Sequence, residues 1–314
     1  MPSGYRPPTA FVGITDWDWF SQLRKLEGID EVNFWQPNPH AFRALSPGEP
    51  FFFKLHRPWD RIVGVGFFAR YVMLPVSMAW DFFEVKNGVE SLIEMRRRIE
   101  KYRVTRAPTE DYPVGCIMLE QPAFFDERDW IEAPDWKMNI QSGRGYSLDE
   151  EPGQSLWQRV QGLLSSRPSD AGVVSVREPV GPRYGPPVFK FPRLGQGSFQ
   201  GAIIDAYARR CAITGERVLP VLEAAHIKPY GEGGEHRIDN GLLLRRDLHA
   251  LFDRGYMTVS PEMDVVVSKR LRDEFHNGEE YLAMTGQRLL EPTRPADRPN
   301  PEFLDWHNQH RFVA

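Results

Sequence analysis

Four polar side chains in the last third of the chain have the types and the spacing of a hydrolytic site. His226 is followed by thirteen residues and then Asn240, which is followed by eight and then His249, with Asp253 four positions on. A histidine titrates near neutral pH, so His226 can take a proton from water. His249 and Asp253, four apart on a helix, share one face and can grip a single divalent ion.

Those residues need elements to hold them. The run VLPVLEAAHI is apolar and strand-like, PYGEGGEHRID is a polar, Gly-rich loop, and NGLLL is a second short strand. RRDLHALFDRG predicts one to two helical turns closed by Gly255. Strand, loop, strand and helix in this order make a ββα-metal unit. Ahead of it, FQGAIIDAYARR predicts a helix with Gly197-Ser198 as its N-cap. Further upstream, residues 166–192 are dense in Pro, Gly and Ser and read as a linker. Residues 1–165 make a first domain and residues 193–314 a second. In the first, FVGITD, PFFFKL, RIVGVGFFARYVML and YPVGCIML predict strands and SLIEMRRRIEKYR a helix with a basic face. The fold class is α+β.

Composition bounds the function. The chain has 314 residues, 41% of them hydrophobic, enough for two ordinary cores. Its net charge of -4 does not advertise a nucleic-acid binder, although a nuclease needs only a locally basic face. Cys116 and Cys211 lie far apart, which excludes a disulfide framework and a four-cysteine zinc site. The N-terminus lacks a secretory pattern and no run reaches about 18 apolar residues, so a cytoplasmic protein with no membrane partner is expected.

The AAHI…NGLLLRRDLHALFDRG pattern resembles the HNH nuclease family, in the branch found in bacterial restriction enzymes. The resemblance runs from about Gly195 to Phe275. It implies hydrolysis of DNA phosphodiesters with Mg²⁺ or Mn²⁺, other first-row divalent ions being compatible, and His226 as general base. Asn240 would accept from the His226 ring or order the loop, and His249 and Asp253 would hold the metal. Arg245 and Arg246 would face phosphate. Ala225 departs from the family pattern, in which Asp or His often precedes the general base as a further ligand. Glu223, on the same strand face, is a candidate replacement. Cys211 reads as core, His236 as solvent-facing, and His307 and His310 as docking the tail.

The first domain resembles the EVE family of PUA-like domains, through FVGITDWDWF, VNFWQPNP, PFFFKLHRPWDRIVGVGFFARYVMLP and AWDFFEVKNG. That implies a β-barrel with helices that flips a modified base into an aromatic pocket. Trp35 and Trp80 are the expected stacking walls and Asp81 the acceptor for a cytosine amine, with Trp17, Tyr71 and Phe83 beside them. EVE joined to HNH looks like a modification-dependent, type IV-like restriction endonuclease acting on double-stranded DNA with 5-methyl- or 5-hydroxymethylcytosine. Alternatives are an HNH nuclease indifferent to modification and a non-catalytic reader of modified nucleic acid. One HNH site nicks one strand, which leaves room for a homodimer.

Overall fold

The run PFFFKL is apolar almost throughout because its strand is covered on both faces: Phe51 and Phe53 enter one core while Phe52 enters another. In this computed structural model the described residues are 7–104, 110–166 and 195–314. Two compact units are present, Met1–Pro192 and Arg193–Ala314. From residue 167 on, the expected linker lies outside the described residues.

The first unit carries strands β1 (Thr9–Thr15), β2 (Glu31–Gln36), β3 (Pro50–Leu55), β4 (Arg61–Pro75), β5 (Pro113–Phe124), β6 (Ile131–Glu132) and β7 (Gly143–Ser147). Its helices are α1 (Trp17–Leu23), α2 (Val76–Phe83), α3 (Leu92–Glu100) and α4 (Gly153–Ser165). The strands pair in the order β2-β5-β4-β3-β1-β7, with β6 on β4; β1 and β3 run parallel and the other pairs antiparallel. Two bulges shift the register of β4 against β5, which bends this long strand and raises its twist. One face of the sheet buries Trp19, Phe20, Phe51, Phe53, Ile117 and Leu119. Elsewhere Val12, Phe52, Val65, Leu156 and Val160 make a second core that includes α4. The segment WDWF, with no strand signal, is α1, started by Asp16, whose carboxylate accepts from the Trp19 N–H at 2.8 Å.

Two buried carboxylates face each other across β2 and β5. Glu31 pairs with Glu120 in register, and both are fully buried. Lys86 Nζ lies 3.0 Å from Glu31 and 2.6 Å from Asp30, which leaves Glu120 without a hydrogen-bond partner on either oxygen. Burial, then Glu31 and Asp30, push the Glu120 carboxyl up to about 9, so it is a neutral acid at pH 7.

The second unit opens with α5 (Gln196–Ala206), whose N-cap is Gly195; Gly197 and Ser198, expected as the cap, lie inside the first turn. Then come β8 (Leu222–His226), β9 (Gly241–Arg245) and α6 (Arg246–Asp253), the expected strand–loop–strand–helix unit. The hairpin β10 (Met257–Val259) and β11 (Val265–Val267) follows, with helices α7 (Arg270–Phe275), α8 (Glu279–Leu282) and α9 (Pro301–His310). Among the described residues no helix is long and apolar enough to cross a membrane.

The last helix is bound tightly to this unit. His307 is buried, stacked on Phe252 at 3.8 Å, and its ring nitrogens meet Thr258 Oγ1 and the Phe252 carbonyl. The Val313 N–H donates to the Gly255 carbonyl, and any Cβ on Gly255 would collide with the Arg311 carbonyl. Gly255, at φ 76°, therefore ends α6 and also lets the tail lie against it. His310 is exposed and stacks on Trp306.

Candidate active site

The loop between β8 and β9 has to fold back on itself, and Asn240 makes it do so. Its Nδ2 donates to the Lys228 and Glu235 carbonyls and its Oδ1 accepts from the Lys228 N–H, all at 2.9 Å. The side chain does not bond the His226 ring, so of the two roles open from the sequence the geometry shows loop ordering. Gly234 sits where any Cβ would run into the Lys228 carbonyl, so the crossing needs a glycine. Asn240→Ala would leave the half-buried Lys228 N–H and carbonyl without these partners and release the Glu235 carbonyl, which keeps the Arg237 N–H, an expected loss of about 2 kcal/mol. Thermal unfolding would check it: a change below about 1 kcal/mol would mean that water replaces the amide.

Strand β8 ends on His226, whose ring lies flat on Phe199 of α5, centroids 4.0 Å apart and planes 12° apart. His226 Nε2 is 2.9 Å from Nδ1 of His236, which in turn stacks on Tyr230 at 4.7 Å. His236 was expected to face solvent. The turn tied by Asn240 instead brings it back onto His226, and local composition carries no signal of that. Burial, together with His236 and His249, holds the His226 ring well below the usual imidazole range, at about 4. At neutral pH it is therefore unprotonated and able to accept a proton.

On α6, His249 Nε2 lies 3.3 Å from Asp253 Oδ2 while Nδ1 meets Glu223 Oε2 at 2.9 Å. Burial pulls the His249 pKa down, but Asp253 and Glu223 outweigh it and the net shift is upward. The two carboxylates use opposite ring nitrogens. A separation of 3.3 Å is one that two donors of a single ion can share, so Nε2 and Asp253 fit a divalent metal. Glu223, the candidate replacement ligand, meets the opposite ring nitrogen, the position from which an acceptor orients a metal-binding imidazole. Among the described residues no cluster of three or more His, Cys, Asp or Glu donors gathers at one point, so a bound ion would complete its shell with water and substrate oxygens.

His226, His249 and Asp253 line one cleft of about 500 Å³, with Phe199 and Tyr230 in its wall and Arg311 at its edge. Arg311 was not anticipated; its guanidinium lies 3.7 Å from Glu232 and 6.0 Å from the Trp306 ring centroid. The two arginines expected at phosphate each meet a carboxylate in the structure. Arg245 makes a bidentate pair with Asp247 at 2.7 and 2.6 Å, and Arg246 bonds Glu223 at 2.8 Å. Cys211 is fully buried.

With this arrangement in view, comparison with known proteins is informative. The HNH endonuclease family matches residues 211–260. This segment is an HNH endonuclease domain. The match spans β8, β9, α6 and β10, so His226, Asn240, His249 and Asp253 all fall inside the HNH domain. No curated protein matches the sequence. Among solved structures, the chain is similar to ASCH from Zymomonas mobilis, with 12% identity and a TM-score of 0.30 over 50% of this chain and 94% of that one. A point mutant of that protein gives 10% identity and a TM-score of 0.31, over 50% and 97% of the two chains. The modification-dependent TagI restriction endonuclease gives 13% identity and a TM-score of 0.27, over 89% of this chain and 75% of that one.

Of the six residues expected around a base, Trp35 and Tyr71 lie on opposite faces of the sheet, because Trp35 pairs with Cys116 and Tyr71 with Ile117, adjacent positions of β5. Tyr71 and Trp17 pack on the core of Phe51 and Phe53, and Trp17 also stacks on Trp59 at 4.6 Å. Trp35 lies by the turn after α2, its indole N–H donating to the Asn87 carbonyl at 3.1 Å. The same turn ends α2 on the Trp80 carbonyl. Trp80 is half-buried and Asp81 exposed, whereas Phe83 is 1% exposed and belongs to the core.

Proposed function

We propose that the protein is a metal-dependent DNA endonuclease whose first unit reads modified cytosine, 5-methyl or 5-hydroxymethyl, in double-stranded DNA. The observation that carries the nuclease reading is the convergence of His226, His249 and Asp253 on one cleft of the HNH domain. In this reading His226 takes the proton of the attacking water, and Phe199 covers one face of its ring. His249 and Asp253 hold a divalent ion, with Glu223 fixing the His249 ring. When bound, that ion neutralises charge on the scissile phosphate and the departing 3′ oxygen. Asn240 keeps the loop in shape, and Arg311 reaches a phosphate from the edge of the cleft.

The reader half rests on the resemblance to EVE domains and on the α2 side of the first unit. There the Trp35 indole and the Trp80 backbone meet one turn near the exposed Asp81, and two tryptophans with an acceptor are the residue types that sandwich a flipped base and read its amine. Two copies acting on opposite strands would give a double-strand break.

Matched DNAs with plain, 5-methyl- and 5-hydroxymethylcytosine, each with Mg²⁺, Mn²⁺ or EDTA, test both halves. Cleavage of modified DNA alone, abolished by EDTA, is expected. Equal cutting of all three would retain the nuclease and remove the reader. Cutting that persists in EDTA would remove the metal.

A further inference from the structure

His226 can accept a proton only if one of its ring nitrogens is bare, and its contact with His236 decides which. A single proton lies between His226 Nε2 and His236 Nδ1, 2.9 Å apart. If His236 donates it, neutral His226 must carry its own proton on Nδ1 and has no lone pair left for water. If His226 donates it, Nδ1 is bare, and among the described residues the structure gives that nitrogen no hydrogen-bond partner.

We propose that His236 is a positioning residue: it accepts the Nε2 proton of His226, fixes that tautomer, and leaves His226 Nδ1 as the nitrogen that takes the proton from water. The proposal rests on the nuclease reading of His226. Its support is geometric. Tyr230 stacks on His236 with planes 13° apart, which limits rotation of the acceptor ring. Asn240 Nδ2 holds the Glu235 carbonyl, the group next to His236 in the chain. Phe199 covers one face of His226, so its ring turns only with loss of that stack. A line of contacts therefore runs from Asn240 through the 235–236 backbone to His236 and on to His226. The buried asparagine acts on the proton acceptor at one remove.

The test uses the full chain with Mg²⁺ on DNA carrying 5-methylcytosine, with unmodified DNA in parallel. His236→Leu keeps bulk but removes the acceptor; His236→Asn places an oxygen near the position of Nδ1. His236→Leu is expected to lower kcat about 10–100-fold with KM within about twofold, and His236→Asn to recover most of that loss. Nitrogen-15 correlation spectra of the histidine rings provide a readout independent of cutting: His226 is expected to carry its proton on Nε2 at pH 7. Equal losses in both variants, no loss in either, or a proton on Nδ1 would overturn the proposal. If the parent protein cut neither DNA, the nuclease reading would fall, and the ring spectra would still decide the contact.

Discussion

His226→Ala is expected to cut the cleavage rate by about 10²–10⁴-fold while DNA affinity stays within a small factor. The size follows from what the ring does in the proposed reaction. Burial and two neighbouring histidines keep it unprotonated at neutral pH, so it is ready to act as a base, and Phe199 stacks on it. Removing the ring takes away the proton acceptor but leaves His249, Asp253 and the cleft's outline in place. Gel-shift binding measured beside single-turnover cleavage separates the two quantities. A parallel collapse of binding and cutting would make His226 a structural residue and leave the chemistry without a base.

The second large effect is on stability. At pH 8, Glu120→Gln is expected to stabilise the first unit by at least about 3 kcal/mol, and at pH 4 to change it little. Glu120 is a neutral acid in the fold, held near 9, and ionises near 4.5 when unfolded. A folded pKa above the unfolded one gives stability that is fully present below about pH 4.5. It is then lost as pH rises toward 9, at about 1.4 kcal/mol per unit. Glutamine has no proton to lose, so the variant should show a flatter stability profile across that window. Parallel melting profiles of the two proteins from pH 5 to 9 would show instead that water reaches Glu120, or that Lys86 swings to it.

Much of the catalytic half was readable from the sequence, because its information is local. His226 closes a strand and His249 and Asp253 are one helical turn apart, so spacing alone places them. Asn240 offered two roles, and only the three-dimensional path of the loop chooses between them. His236 was misread for the same reason: a polar, Gly-rich loop looks solvated until one buried amide pins it. The first unit was harder. Its strands were visible in their β-branched and aromatic runs, but whether two tryptophans or tyrosines share a cavity depends on register. Trp35 and Tyr71 are separated by one step along β5, a strand distant in sequence from both, and that single step sends them to opposite faces. Phe83 shows the usual fate of an aromatic residue in a helix packed on a sheet, which is the core. The ion pair of Arg246 with Glu223 joins residues far apart in the chain, which spacing alone does not show.

The binding of His307 and Val313 to the nuclease core bears on how this cutter could be moved between proteins. Residues 211–260 carry the recognisable motif, but one wall of the His226 ring is Phe199, and the end of α6 is closed by residues 307–313. A graft limited to the motif would discard groups on both flanks and expose Phe252, Gly255 and one face of His226. The portable piece is therefore the whole of Arg193–Ala314, and a chimera trimmed more closely would inherit the catalytic letters without the walls that give them a working shape.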